Sequence, residues 1–186
     1  QAGLPYVDQA LSIDDLIAVR PVVEALAAQA PVWEPGTAHG YHALTYGWLA
    51  GELVRRVDGR TLGTYFADEV AAPLGLDFWI GLPESEEARV SMLAAAPPPS
   101  DPAQLVMMMQ MMGPGTIGFK ALTMNGSLLA LGAARNPFNT REVHATEMPA
   151  ANGITNASSL AKMYAATVSD VDGVRLLSPE VMRAAS

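Results

Sequence analysis

Apolar residues return at helical spacing along much of this 186-residue chain. The clearest run is Leu44 to Val57, where Tyr46, Leu49, Leu53 and Val57 recur every three or four positions, the period of one helix face. Asp58-Gly59 ends it, and Gly59 suits the left-handed position that closes helices. Thr61 to Ala72 reads as a second amphipathic helix, with Leu62, Phe66 and Val70 inward and Pro73 as its stop. Ile13 to Ala30 reads as helix too, with Ser12 or Asp14 near its start and Pro21 marking a kink or restart. Phe78 to Gly81 reads as a short strand. Pro83 to Ala95 is a charged helix start that turns alanine-rich, and Pro97 to Pro102 forms a stiff connector. Gln104–Met112, Thr155–Val168 and Ser178–Ala185 complete a largely helical chain without internal repeats.

Composition narrows the partners. Half of the residues are hydrophobic, 16% are charged, and the mean hydropathy is +0.19. That is apolar for a chain of this length, as expected if some faces pack on further elements. The net charge is −8, and the two lysines are Lys120 and Lys162. Such an acidic surface disfavours nucleic acids and anionic membranes as partners. No apolar run approaches the ~20 residues that span a bilayer. With no cysteine, disulfides, thiolate-bound metals and a thiol nucleophile are excluded.

The candidate chemistry centres on Tyr41, in the run Trp33-Glu34-Pro35-Gly36-Thr37-Ala38-His39-Gly40-Tyr41-His42-Ala43. A Pro-Gly turn leads through an extended segment to the tyrosine, and a helix follows directly. Peptide N–H groups at a helix start favour negative charge, which suits a phenol of ordinary pKa about 10 that must accept a proton. The competing reading is a buried tyrosine with its hydroxyl on a carbonyl. His39 and His42 either tune this phenol or sit as solvated loop histidines. A metal site built from His39, His42 and His144 lacks a carboxylate at ligand spacing, so neither metal nor cofactor is expected.

Other motifs have simpler readings. Ser159-Leu160-Ala161-Lys162 has the form Ser-x-x-Lys. Leu160, Met163, Tyr164, Thr167 and Val168 define the apolar face of that helix, which points Lys162 towards solvent and makes the pair a surface feature. Gly47 and Gly51 imply close packing against a neighbour. The cluster Met107 to Met112 suits either an irregular core, the preferred reading, or a pocket for varied acyl chains. Asn152-Gly153 is either a turn at the rim of a site or a plain turn before a cap at Thr155 or Asn156.

Several phrases, in order, resemble a class C β-lactamase-like serine esterase of the penicillin-binding protein superfamily. They are Ala2-Gly3-Leu4-Pro5; Trp33 to Thr37 with Gly40-Tyr41-His42; Gly47-Trp48-Leu49 with Glu52 to Arg60; Pro73-Leu74-Gly75-Leu76; and Asn152-Gly153-Ile154 leading into Leu160-Ala161. The resemblance implies an α+β serine β-lactamase/transpeptidase-like fold, of which this chain is mostly the helical domain with little sheet and an uncovered apolar face. It also implies that Tyr41 is a general base and that Asn152, Gly153 and His42 contact substrate.

The departures from the pattern carry equal weight. Ala43 stands where β-lactamases have the asparagine of Tyr-x-Asn, which moves the implied substrate from β-lactams towards small esters. The family's Ser-x-x-Lys before the tyrosine, and its closing Lys-Thr-Gly or His-x-Gly, are not found within residues 1–186. The chain is therefore expected to be an internal part of one domain and inactive alone. A non-catalytic binding module and a β-lactamase or D-amino-acid peptidase are the alternatives.

Overall fold

The computed structural model describes residues 1–94, 97, 99–128 and 136–185. The expected helix end at Ala95 and the connector residue Pro98 lie outside the described residues. Helices dominate. The first expected helix is two: α1 (Ile13–Ala18) and α2 (Arg20–Ala28). Ser12 caps α1 through its side chain, and the Asp15 carboxylate accepts the Ser12 N–H in return. The break falls at Val19 (φ 61°, ψ −51°), and Pro21 lies in the first turn of α2, where its missing N–H costs nothing.

Helix α3 (Thr45–Asp58) ends on Gly59 in the left-handed region (φ 93°), as its sequence implies. Its orientation does not follow the expected stripe. Tyr46, Leu53 and Val57 are 66%, 65% and 89% exposed, whereas Thr45, Gly47 and Trp48 are buried. Periodicity finds a helix face but cannot say which face meets a neighbour.

Residues 62–74 form α4 (Leu62–Phe66), a π-helical turn (Ala67–Ala71) and α5 (Ala72–Leu74). Pro73 does not stop this helix. The wider turn before it makes room for a ring that would collide with an α-helical carbonyl, and Gly75 at φ 59° closes the helix instead. Leu62, Phe66 and Val70 are half-buried, and Gly63, Ala71 and Leu74 form the buried line.

The only sheet among the described residues pairs β1 (Phe78–Trp79) with β2 (Ile154–Thr155), antiparallel, with Phe78 opposite Thr155. Glu84–Arg89 is a 3₁₀ helix and not the start of a longer α-helix. Helix α6 (Pro102–Met112) is capped by Asp101 and buries none of its residues, so its methionines are not core. Two short helices escaped the sequence pattern: α7 (Ile117–Thr123) and α8 (Arg141–Ala145). Asn156 caps α9 (Ala157–Val168), and α10 is Pro179–Ala185. The main core gathers Val7, Leu16, Val22, Trp48, Val143 and Met148 from distant parts of the chain.

Candidate active site

Residues 1–4 and 32–36 lie side by side and carry the turn that presents Tyr41. Val32 N–H donates to Gly3 O at 2.7 Å, and Gly36 N–H donates to Gln1 O at 3.1 Å. Gly3 is required at this crossing: its φ is 74°, and a β-carbon would lie 2.5 Å from Trp33 O. Leu4 is then held from both sides, its N–H by His42 Nε2 at 3.1 Å and its carbonyl by Thr45 Oγ1 at 2.7 Å.

Tyr41 projects from this frame. It is 80% exposed, which rules out the buried, carbonyl-bonded reading. Its hydroxyl has no hydrogen-bond partner among the described residues. The ring lies four positions before α3, on the rim of a concavity of about 650 Å³. The floor of that concavity is the outward stripe of α3, with Tyr46, Leu49, Ala50 and Leu53, and Pro149 and Ala150 form its far side. The apolar stripe expected to face the core thus lines the concavity beside Tyr41.

His42 is neither solvated nor free. Its Nδ1 lies 2.8 Å from Gly40 O, its Nε2 faces the Leu4 N–H, and its ring packs edge-on against Trp33. A carbonyl can only accept and an amide N–H can only donate, so the ring is neutral with its proton on Nδ1. Both nitrogens are spent on backbone, so His42 positions the turn and offers substrate no free nitrogen. His39 is exposed and meets the Gln1 side chain.

His144 has the opposite character. It is buried, and its two nitrogens face Glu87 Oε1 and Phe138 O, both at 2.9 Å. Both partners are acceptors, so each contact is a hydrogen bond when the ring nitrogen facing it carries a proton. Burial raises the Glu87 pKa, but the hydrogen bonds from His144 and Arg141 outweigh it and hold the carboxyl below its ordinary value.

Asn152 and Gly153 do not join Tyr41. The buried Asn152 amide donates to Val143 O and Thr146 O, while its oxygen accepts the Met148 N–H at 2.9 Å. Gly153 packs so closely on Phe78 that a β-carbon would lie 2.9 Å from the ring. Both line a separate cavity with His144 and Phe138. The loop instead brings Pro149 and Ala150 to the concavity that Tyr41 lines, a placement that no local pattern announced.

The Ser159–Lys162 pair is structural, though not as its periodicity implied. Leu160, Tyr164 and Val168 are exposed, Ser159 and Ala166 turn inward, and Lys162 is half-buried. Ser159 Oγ accepts the Asp77 N–H at 3.0 Å, and Lys162 Nζ pairs with Asp172 at 2.7 Å. A lysine committed to a carboxylate is a poor base for a neighbouring serine. Among the described residues, no helix is long and apolar enough to cross a membrane.

The Beta-lactamase family model matches residues 1–186. Esterase/beta-lactamase LipL of Mycobacterium tuberculosis is 32% identical over 98% of this chain, which spans 42% of that protein. EstA from Arthrobacter nitroguajacolicus is similar in structure, with a TM-score of 0.79 at 34% identity, over 98% of this chain and 46% of EstA. A penicillin-binding protein homolog from Caulobacter crescentus gives a TM-score of 0.75 at 35% identity, over all of this chain and 46% of its own. A family VIII carboxylesterase gives 0.78 at 34% identity, over 98% of this chain and 45% of its own. The chain spans less than half the length of each of these relatives, and its helix-rich body with one small sheet matches the helical part of their shared fold. By sequence and by fold, the chain belongs to the beta-lactamase family.

Proposed function

We propose that this chain is the helical part of a serine hydrolase that cleaves small carboxylic esters through an acyl-enzyme, with Tyr41 as the general base. One observation carries the reading: an exposed phenol, without a hydrogen-bond partner among the described residues, stands on a hydrogen-bonded turn beside an apolar concavity. The esterase names among its relatives support the reaction class. In this reading the serine, its lysine and the closing motif come from sequence outside residues 1–186.

The chemistry follows from those parts. The Tyr41 phenolate takes the serine proton as Oγ attacks the ester carbonyl, giving a tetrahedral oxyanion. The oxyanion collapses with loss of the alkoxide, which receives that proton from Tyr41 and leaves as the alcohol. Water then attacks the acyl-serine, with Tyr41 as base again, and releases the carboxylic acid. The reading asks for no metal or cofactor. Leu49, Ala50 and Leu53 offer the acyl or alkyl group an apolar bed. His42 and Asn152 support the site through the segments they hold, and Pro149 and Ala150 replace Asn152 and Gly153 as the loop residues nearest substrate.

Replacing Tyr41 with Phe in the full-length protein tests the assignment. Hydrolysis of a p-nitrophenyl ester should fall by roughly 10²–10⁴-fold with the melting temperature unchanged. Undiminished turnover in that variant would remove Tyr41 as the base. With Ala43 in place of the family's asparagine, nitrocefin should be turned over far more slowly than the ester. The reverse ranking would favour the β-lactamase reading.

A further inference from the structure

Glu147 lies two residues before Pro149, in the loop that forms the far side of the Tyr41 concavity. Asn152 shapes this loop from within, through Val143 O, Thr146 O and Met148 N. Glu147 ties the same loop to a distant segment. Its Oε1 accepts the Thr61 hydroxyl at 2.6 Å and its Oε2 accepts the Gly63 N–H at 2.7 Å, across 86 and 84 residues of sequence.

Two glycines leave the space for this side chain. A β-carbon on Gly63 would lie 2.6 Å from Glu147 Cδ, and one on Gly81 would lie 3.2 Å from its Cγ. Both carboxylate oxygens are thus spent at the start of α4, in a slot cut to the length of a glutamate.

The next residues of the loop meet α3. A β-carbon on Gly47 would lie 2.5 Å from Ala150 N and 3.1 Å from Pro149 Cδ. Pro149 and Ala150 therefore stand between the Glu147 tie and α3, the helix whose Leu49 and Ala50 line the same concavity. At such close packing, a shift of well under 1 Å in the loop changes the contacts that its wall can offer.

We propose that Glu147 is a positioning residue that fixes the Pro149–Ala150 wall and so sets the acyl length the site accepts, an inference that rests on the ester-hydrolase reading above. Glu147 does not line the concavity and touches no substrate. Reach and hydrogen bonding matter here, and charge does not. A glutamine has the same length, accepts the Gly63 N–H with its oxygen and donates its amide to Thr61 Oγ1. The Thr61 proton then turns to Thr64 Oγ1, 2.9 Å away. An aspartate keeps the charge but is one methylene short of both partners.

The test is hydrolysis of p-nitrophenyl acetate and p-nitrophenyl hexanoate by the full-length protein. Glu147→Ala should raise KM for the hexanoate about tenfold with kcat retained, because ground and transition states share the lost wall contact. Both constants for the acetate, too short to reach the wall, should stay near those of the unaltered protein. Glu147→Asp should show the same selective shift, and Glu147→Gln should not. Equal losses on both esters, no change in any variant, or aspartate outperforming glutamine would overturn the proposal. Tyr41→Phe should instead lower kcat on both esters, so the base assignment and the Glu147 role fail separately. Hydrogen exchange reads the loop without turnover: amides 148–151 should exchange about tenfold faster in Glu147→Ala than in the unaltered protein or Glu147→Gln. Unchanged exchange in Glu147→Ala would sink the positioning role even if neither ester is cleaved. If Glu147→Ala does not fold, the aspartate and glutamine variants decide by the same readouts.

Discussion

Leu4 N–H donates to Nε2 of His42 at 3.1 Å, across 38 residues of sequence. The same imidazole reaches Gly40 O with its other nitrogen, so one neutral ring ties the start of the chain to the turn that carries Tyr41. Thr45 completes the clamp from a fully buried position by donating to the Leu4 carbonyl. Tyr41 itself contributes nothing to this clamp, which leaves its hydroxyl available.

Stability and function should therefore separate at this turn. Thr45→Val leaves the Leu4 carbonyl without its donor and should cost about 1–3 kcal/mol. Tyr41→Phe removes a hydroxyl that has no hydrogen-bond partner among the described residues and should leave urea unfolding unchanged. Equal losses from the two substitutions would mean that the clamp does not hold the turn.

The two glycines of α3 should respond in opposite directions. A β-carbon on Gly47 would lie 2.5 Å from Ala150 N, whereas one on Gly51 would find Leu62 and Pro149 at 3.8 and 3.9 Å. Gly47→Ala should force the helix off the loop at a cost of about 1–3 kcal/mol and, by moving Pro149 and Ala150, slow ester turnover. Gly51→Ala should gain about 0.5–1 kcal/mol from helix propensity. Melting temperatures of the two variants check the signs.

Acid should weaken the fold through two carboxylates. Hydrogen bonds from Arg55 and then Arg56 lower the Glu52 pKa from 4.5 to about 2, and Glu87 is also held below its ordinary value. A carboxylate with a depressed folded pKa contributes fully above its unfolded value and loses that contribution as the pH falls through the folded one. The melting temperature should thus drop as the pH goes from about 4.5 to about 2. Glu52→Gln should flatten the lower part of that drop, and an unchanged slope would exclude Glu52 as a contributor.

The methionines should divide by position when the protein meets hydrogen peroxide. Met107, Met109, Met111 and Met112 are exposed on α6, while Met124 and Met148 are buried. Peptide mass spectrometry should find sulfoxide first on the α6 group and on Met92, which is 72% exposed, with cooperative unfolding preserved. Early oxidation of Met148 would contradict the packing of the core.

Ser159→Ala separates a structural serine from a nucleophile. The change removes the acceptor of the Asp77 N–H and should cost about 1 kcal/mol with ester turnover intact. Lost turnover in a stably folded variant would restore Ser159 as a catalytic candidate.

How much of this was legible in the chain depends on the range of the forces involved. Gly59 marks a helix end in the sequence and in the structure, and Ser12 and Asn156, each one of two candidates in the sequence, are the caps in the structure, because caps act within one turn. The Pro-Gly turn before Tyr41 was legible for the same reason, as was a helix-rich body with little sheet. Helices α7 and α8 were not. Each is about two turns or less, too short for a periodic signal, and α8 is secured by the distant pair His144 and Glu87.

The sequence by itself determined the helix ends that carry a local cap, such as Gly59, together with where Tyr41 sits relative to α3 and which family phrases occur in order. Only the tertiary structure decided which side of each helix is inside. Tyr46 and Leu53 face the concavity because Ala150 docks on Gly47 from more than a hundred residues away. Asn152 is withdrawn from the rim because three backbone groups of its own loop claim its amide. Periodicity is a property of one segment, whereas burial belongs to a pair of segments, and the second member of each pair is chosen by the fold.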